Sequence, residues 1–210
     1  MFSVLFSIFP KKITGAENLK ITAPYIIAAN HASILDGFLV TLYLSKITGT
    51  YIHFLTKDKY FENPLFKVLL GISEGIKVAM KDPVRSFFSA LKYLERGQIV
   101  GIFPESTRSI DGKIQKGKNG AAALVLKARV PLVPVGLINT NGILPRGSAL
   151  PRIAGFEINV GQPISLEKYY PAYDAAVLQQ EKDNILKIEE EATRELMRAI
   201  ARLSRQEYPY

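Results

Sequence analysis

The sequence predicts one α/β domain with a mostly parallel central sheet flanked by helices. Three observations lead there. Short apolar runs, rich in β-branched and aromatic residues, alternate along the chain with stretches of helical periodicity. A long amphipathic pattern closes the chain. The 210 residues, 48% hydrophobic and 22% charged, have the proportions of a single folded domain, and no repeat, linker or low-complexity stretch divides them. A domain of this length buries about 70% of its unfolded surface and needs no staples. The chain has no cysteine, which excludes disulfides and thiolate metal sites.

The elements follow in order. Residues 1–9 are apolar and lead into Pro10-Lys11-Lys12. The run is too short to span a bilayer, which takes about 20 apolar residues, and it lacks the basic start and cleavage site of a signal peptide. Residues 1–12 are therefore expected to stand apart from a domain of residues 13–210. They serve either as an interfacial anchor whose lysines meet anionic headgroups or as a segment packed on the core. Strands are expected at 25–29, 51–56, 75–80, 99–103, 132–138 and 156–160, each a short apolar run bounded by turn residues. Helices are expected between them at 36–47, 63–70, 84–96 and 117–128. Ile185, Ile188, Ala192, Leu196, Ala199, Ile200 and Leu203 recur every three to four residues, predicting a long C-terminal amphipathic helix over 176–206. Its Glu189, Glu190 and Glu191 precede Arg194, Arg198, Arg202 and Arg205, the charge order that the helix dipole favours.

The net charge of +8 suits an anionic partner: a phosphorylated substrate, a nucleic acid or an acidic membrane surface. No nucleic-acid recognition motif occurs and the aromatic residues lie in apolar runs, so no nucleic acid is expected as a partner. No cluster with metal-ligand spacing occurs, and no metal is expected.

Chemistry concentrates in two segments. The first is Asn30-His31-Ala32-Ser33-Ile34-Leu35-Asp36, which holds one of only two histidines. An unperturbed histidine accepts a proton near neutral pH, and a carboxylate can hold one ring nitrogen while the other acts as base. Five residues along a continuous helix turn the chain about 500°, roughly 140° off a common face, so the pair meets only across a turn-to-helix break. Ser33-Ile34-Leu35-Asp36 reads as a capping box that places such a break. The same residues fit a plain helix cap with a histidine filling the turn, and spacing alone leaves both readings open. The second segment is Ile99-Val-Gly-Ile-Phe-Pro-Glu-Ser-Thr-Arg-Ser109, an apolar strand running into polar residues of both charge signs. Ligands of parallel α/β sheets bind beyond the carboxyl ends of strands, which puts Glu105 and Arg108 at a site mouth. The Arg108 fork suits a phosphate or carboxylate; a surface ion pair between the two is the alternative. His53, inside a strand, is expected to be structural. Lys113, Lys116 and Lys118, interleaved with Gly112, Gly117 and Gly120, form either an anion-binding cluster or a solvated loop.

Taken together, an Asn-His-x4-Asp turn followed by Phe103-Pro-Glu-Ser-Thr-Arg-Ser109 resembles the glycerolipid acyltransferase family, and more narrowly its bacterial 1-acyl-sn-glycerol-3-phosphate acyltransferases. The resemblance covers residues 13–165. Gly15-Ala-Glu-Asn-Leu19 is similar to the family lead-in, Lys57-Asp58-Lys59 to its Lys-rich segment, and Val130-Pro-Leu-Val-Pro-Val-Gly136 to its fourth motif. Three departures occur. Ser106 replaces the glycine of Glu-Gly-Thr-Arg, and a positive φ there would strain serine. Gly75-Ile-Lys-Val-Ala-Met-Lys81 puts Met80 or Lys81 where the second motif carries an arginine, and Gly117-Lys-Asn-Gly-Ala121 stands for Phe-Lys-x-Gly-Ala.

The resemblance implies an O-acyltransferase that moves an acyl group from acyl-CoA or acyl carrier protein to the sn-2 hydroxyl of lysophosphatidate, giving phosphatidate. It implies His31 and Asp36 as catalytic residues, with Glu105, Ser106, Thr107, Arg108, Lys57 and Lys81 on the substrate. In this scheme Glu105 orients Arg108 or a substrate hydroxyl. No cofactor and no covalent acyl-enzyme are implied; an anionic membrane surface is the expected partner, with the chain peripheral on the cytoplasmic face. Acylation of another lysophospholipid or lipid alcohol, and a non-catalytic lipid-binding module, are the rival expectations.

Overall fold

The computed structural model describes residues 10–62, 75–78, 82–144, 152 and 154–210. Expectations for residues 1–9, the helix at 63–70, Met80 and Lys81 lie outside the described residues. Seven strands form one sheet: β1 (Pro10–Thr14), β2 (Ile26–Ala29), β3 (Ile52–Lys57), β4 (Ile76–Val78), β5 (Ile99–Ile102), β6 (Leu132–Ile138) and β7 (Phe156–Val160), in the order β1-β7-β6-β2-β5-β3-β4. Every described pairing is parallel except β6 with β7. The mostly parallel sheet expected from the alternation of strand and helix patterns is what forms.

Strand β2 lies at the centre and is buried along its whole length. Both faces must therefore be apolar, which Tyr25-Ile-Ile-Ala-Ala29 supplies. Tyr25, Ile27 and Ala29 face the layer of α1 (Asp36–Thr48), together with Leu39, Val40 and Leu44. Ile26 and Ala28 face the opposite layer, built by α3 (Pro83–Glu95), α4 (Gly120–Ala128) and the C-terminal helix α7 (Lys182–Leu203). Short helices α2 (Lys59–Glu62) and α5 (Thr140–Ile143) and the two-turn α6 (Tyr170–Leu178) complete the described helices.

Most boundaries fall within a residue of the sequence expectation, and the departures that matter to the fold are these. Pro10–Thr14 forms an edge strand on β7, so Lys11 and Lys12, assigned from sequence to the segment before the domain, lie in the sheet and are exposed. The long C-terminal helix expected over 176–206 forms as α7 over Lys182–Leu203; Gln180, with a left-handed φ of 58°, separates it from α6, to which residues 176–178 belong. Helix α4 begins at Gly120 and not at 117: Gly117 lies against α7, where an added Cβ would stand 2.6 Å from Met197 Cγ. Strand β4 begins at Ile76, one residue later than expected, and residues 79–80 of the expected strand lie outside the described residues. No described helix is long and apolar enough to cross a membrane.

Candidate active site

The turn after β2 carries His31, and the loop at 103–109 leaves the carboxyl end of the neighbouring strand β5. Register explains why they meet. Ala28 pairs with Ile102, and the same offset carried forward sets His31 level with Glu105. The His31 N–H donates to Glu105 Oε1 at 2.7 Å, and the His31 carbonyl accepts from the Ser109 N–H at 2.8 Å. Asn30 anchors the other side: its Nδ2 donates to the Leu137 carbonyl at 2.9 Å and its Oδ1 accepts from the Leu137 N–H at 2.7 Å. The backbone around His31 is thus tied to both strands flanking β2.

Its imidazole is held separately. Nδ1 lies 2.9 Å from Asp36 Oδ2. That oxygen also accepts the N–H groups of Ala32 at 2.8 Å and Ser33 at 2.7 Å. An oxygen already accepting two N–H donors is an acceptor toward the ring as well, which puts the ring hydrogen on Nδ1 and leaves Nε2 with a free lone pair. Asp36 is fully buried, and its Oδ1 has no hydrogen-bond partner among the described residues. The His31 side chain retains 17% exposure, enough for a substrate to reach it. One face of the ring stacks on Phe103 at 4.0 Å and 10°, and Phe103 in turn stacks on Phe54 at 4.8 Å. Gly101 leaves the space for this: a Cβ there would stand 2.5 Å from the Phe54 ring.

The cap that brings Asp36 under His31 differs from the box expected. Leu35 is the N-cap residue, and no side chain caps the helix N–H groups. Only the returning half of the box forms, with Asp36 reaching back to the Ser33 N–H. Ser33 Oγ instead meets the Leu35 N–H at a long 3.4 Å.

Glu105 sits differently from its expected role of orienting Arg108 or a substrate hydroxyl. It is only 3% exposed, and its second oxygen accepts the Gln115 N–H at 2.8 Å, so both oxygens are engaged by the backbone. No ion pair joins it to Arg108 among the described residues. Burial pushes the Glu105 carboxyl up to about 7; the Gln115 and His31 N–H groups pull it down, and the Asp36 charge pushes it up. Arg108, half-buried and directly before the Ser109 that donates to the His31 carbonyl, has no hydrogen-bond or ion-pair partner among the described residues.

Ser106 has φ 61°, the left-handed conformation that the glycine of the family motif adopts freely. Holding a serine there costs about 1 kcal/mol, and its side chain is exposed. Ser106→Gly is therefore expected to raise the melting temperature by about 2–4 °C; thermal denaturation checks this, and a lower melting temperature would refute it. Thr107 is exposed, with Oγ1 3.4 Å from Gln115 Oε1. Lys57 ends β3, level with Pro104 when the Phe54–Gly101 register is carried forward. His53 is buried beside Tyr93, a packing position as expected. Lys113, Lys116 and Lys118 are exposed. No three metal-ligating side chains converge among the described residues. An open groove runs along α1 from Phe38 to Tyr51, and neither His31 nor Asp36 lines it.

Sequence reasoning missed Phe103 as the surface against which the imidazole lies, although an aromatic residue directly before Pro104 is a visible signal. It also missed Gln115, whose contribution is a backbone N–H and leaves no signal in residue type.

Comparison with known proteins matches residues 11–138 to the family described as Acyltransferase. A chloroplastic 1-acyl-sn-glycerol-3-phosphate acyltransferase from Brassica napus is 32% identical over 149 residues, 69% of this chain and 42% of that protein. A 1-acyl-sn-glycerol-3-phosphate acyltransferase from Borreliella burgdorferi is 28% identical over 84% of this chain and 67% of that protein. The chain spans about two fifths of the length of the chloroplastic relatives it matches. The crystal structure of the 1-acyl-sn-glycerophosphate acyltransferase PlsC from Thermotoga maritima shares the fold, with a TM-score of 0.65 at 24% identity over 90% of this chain and 74% of that one. The matched stretch runs from β1 to the end of β6 and holds His31, Asp36 and the 103–109 loop, so the chain belongs to the acyltransferase family.

Proposed function

We propose that this chain transfers an acyl group from an acyl thioester to the sn-2 hydroxyl of lysophosphatidate, giving phosphatidate. The observation that carries the reading is the His31–Asp36 pair, a partly exposed imidazole whose Nδ1 is held by a fully buried carboxylate and whose Nε2 has no hydrogen-bond partner among the described residues. The names of the relatives supply the acceptor. His31 Nε2 takes the hydroxyl proton as the oxygen attacks the thioester carbonyl carbon. Asp36 holds the ring and balances the imidazolium. The tetrahedral oxyanion then collapses, the C–S bond breaks, and His31 returns its proton to the departing thiolate. The ester formed and the free thiol balance the reaction with no covalent acyl-enzyme. Acyl-CoA or acyl carrier protein is the donor, and no cofactor is required.

Arg108 holds the acceptor phosphate in this reading, since its guanidinium is unengaged at the mouth of the site. Glu105 acts on His31 through the backbone. The net charge and the lipid nature of both substrates fit a chain peripheral to an anionic membrane on its cytoplasmic side. A second reading, another lysophospholipid or lipid alcohol as acceptor, is favoured by the second-motif segment, where exposed Lys77 lies over the Phe61 ring at 5.9 Å and no arginine is present.

Free-thiol release from acyl-CoA, measured against a panel of lysolipids, separates these readings. Release dependent on lysophosphatidate is expected, and Arg108→Ala is expected to raise KM for it with little change in donor KM. Release with a different lysolipid only would establish the second reading. No acceptor-dependent release with any lipid would leave a lipid-binding module.

A further inference from the structure

The last residues of the chain reach the candidate site from behind. Helix α7 ends in a left-handed turn: Arg205 has φ 57°, and the Gln206 N–H donates back to the Ala201 carbonyl at 2.9 Å. The Arg205 guanidinium pairs with Glu157 on β7 at 2.7 Å, which fixes the direction of the turn. Close packing steadies its base, since a Cβ on Gly136 would stand 2.2 Å from the Leu203 backbone carbon. The turn carries Gln206 and Tyr208 over the loop that follows Glu105.

These two side chains grip that loop at three backbone points. Gln206 Oε1 accepts the Ile114 N–H at 2.7 Å, and its Nε2 donates to the Gly112 carbonyl at 3.2 Å. Tyr208 Oη accepts the Gly117 N–H at 3.1 Å. Between the gripped residues lies Gln115, whose N–H donates to Glu105 Oε2, and Glu105 Oε1 accepts the N–H of His31. A path of hydrogen bonds, joined through the backbone of residues 114–115, therefore runs from Gln206 to the backbone of the proposed base, bridging about 90 residues of sequence between Gln206 and Ile114. The loop meets this path through backbone atoms; the tail meets it through two specific side chains.

We propose that Gln206 and Tyr208 are positioning residues for acyl transfer, holding residues 112–117 so that Glu105 keeps the His31 backbone in place. The proposal rests on reading His31 as the general base. It explains why both oxygens of a buried glutamate are spent on backbone N–H groups: the carboxylate is the joint between a loop anchored from the C-terminus and the turn bearing the imidazole.

The test uses the full chain with Tyr208→Phe, which removes one acceptor and keeps the ring, and Gln206→Ala/Tyr208→Phe, which removes all three grips. Two readouts are taken: kcat and KM from thiol release, and the histidine ring resonances by NMR. With only two histidines in the chain, the His31 signal is assigned by its loss in His31→Ala. The double variant is expected to lose about 10–100-fold in kcat with KM moved less than about twofold. The His31 resonance shifts while that of His53 stays, and Tyr208→Phe moves both readouts the same way by less. An unmoved His31 resonance in a folded variant overturns the proposal. So does an unchanged kcat, or a rise in KM alone, which would place the tail in substrate binding. If the double variant does not fold, Tyr208→Phe decides by the same criteria. If the wild-type chain releases no thiol with any acceptor, the acyl-transfer reading fails, and the resonance still decides whether the tail positions His31.

Discussion

His31→Ala is expected to lower turnover by about 10²–10⁴-fold with KM for either substrate little changed, the loss typical of removing a general base. The scaffold makes this a clean test. The bonds tying residue 31 to Glu105 and Ser109 use its backbone N–H and carbonyl, and Asn30 anchors the preceding residue to Leu137. None of these needs the imidazole. The variant loses the stacking contact with Phe103 and the bond to Asp36, and keeps the turn. Steady-state thiol release and a thermal melt, run together, separate loss of chemistry from loss of fold. Turnover within a few-fold of wild type would remove His31 as the base.

Asp36→Asn is expected to cost nearly as much turnover and more stability. The amide oxygen can still accept the Ala32 and Ser33 N–H groups, so the helix start survives. What it cannot do is hold the ring as a carboxylate does. An asparagine holding Nδ1 as an acceptor offers no charge to balance the imidazolium, and one presenting its NH₂ reverses the tautomer and blocks Nε2 as a base. The loss for a mispositioned or wrong-tautomer base of this kind is about 10²–10⁴-fold. The amide also puts an uncharged polar group into the fully buried space around Oδ1, an atom with no hydrogen-bond partner among the described residues. An unsatisfied buried polar group costs about 1–3 kcal/mol. Circular dichroism melts and kcat check both halves. A stable, fully active variant would show that the carboxylate is a cap alone.

The sheet was legible from sequence where a strand is defined by its own residues. The runs at 132–138 and 156–160 form strands with the expected bounds, since each is an apolar segment flanked by turn residues. Strand β1 was not legible. Pro10-Lys-Lys-Ile-Thr14 has one apolar side chain in an edge position, and its strand character comes from pairing with β7, about 145 residues away. The break between α6 and α7 was hidden for another reason: helical periodicity runs on either side of Gln180, and one left-handed residue changes the path without changing the pattern. The strain expected at Ser106 was legible, because a serine in a glycine position reports the φ the loop needs.

By itself the sequence determined the chemistry on offer: one of two histidines with an aspartate five residues on, a Glu-Ser-Thr-Arg loop ending an apolar strand, and the alternation that makes the sheet parallel. These are properties of residue type and short spacing, which local propensity and burial decide. The tertiary structure alone decided that the His31 ring and the Asp36 carboxylate meet across the turn. It did so through a shared oxygen with three donors, a ring laid on Phe103, and a parallel register that levels residue 31 with residue 105. It also tied both Glu105 oxygens to backbone N–H groups and brought Gln206 and Tyr208 onto the loop beside it. Such contacts join backbone atoms to side chains dozens of residues away, and backbone atoms are the same in every residue. Only the folded chain distinguishes which of them meet.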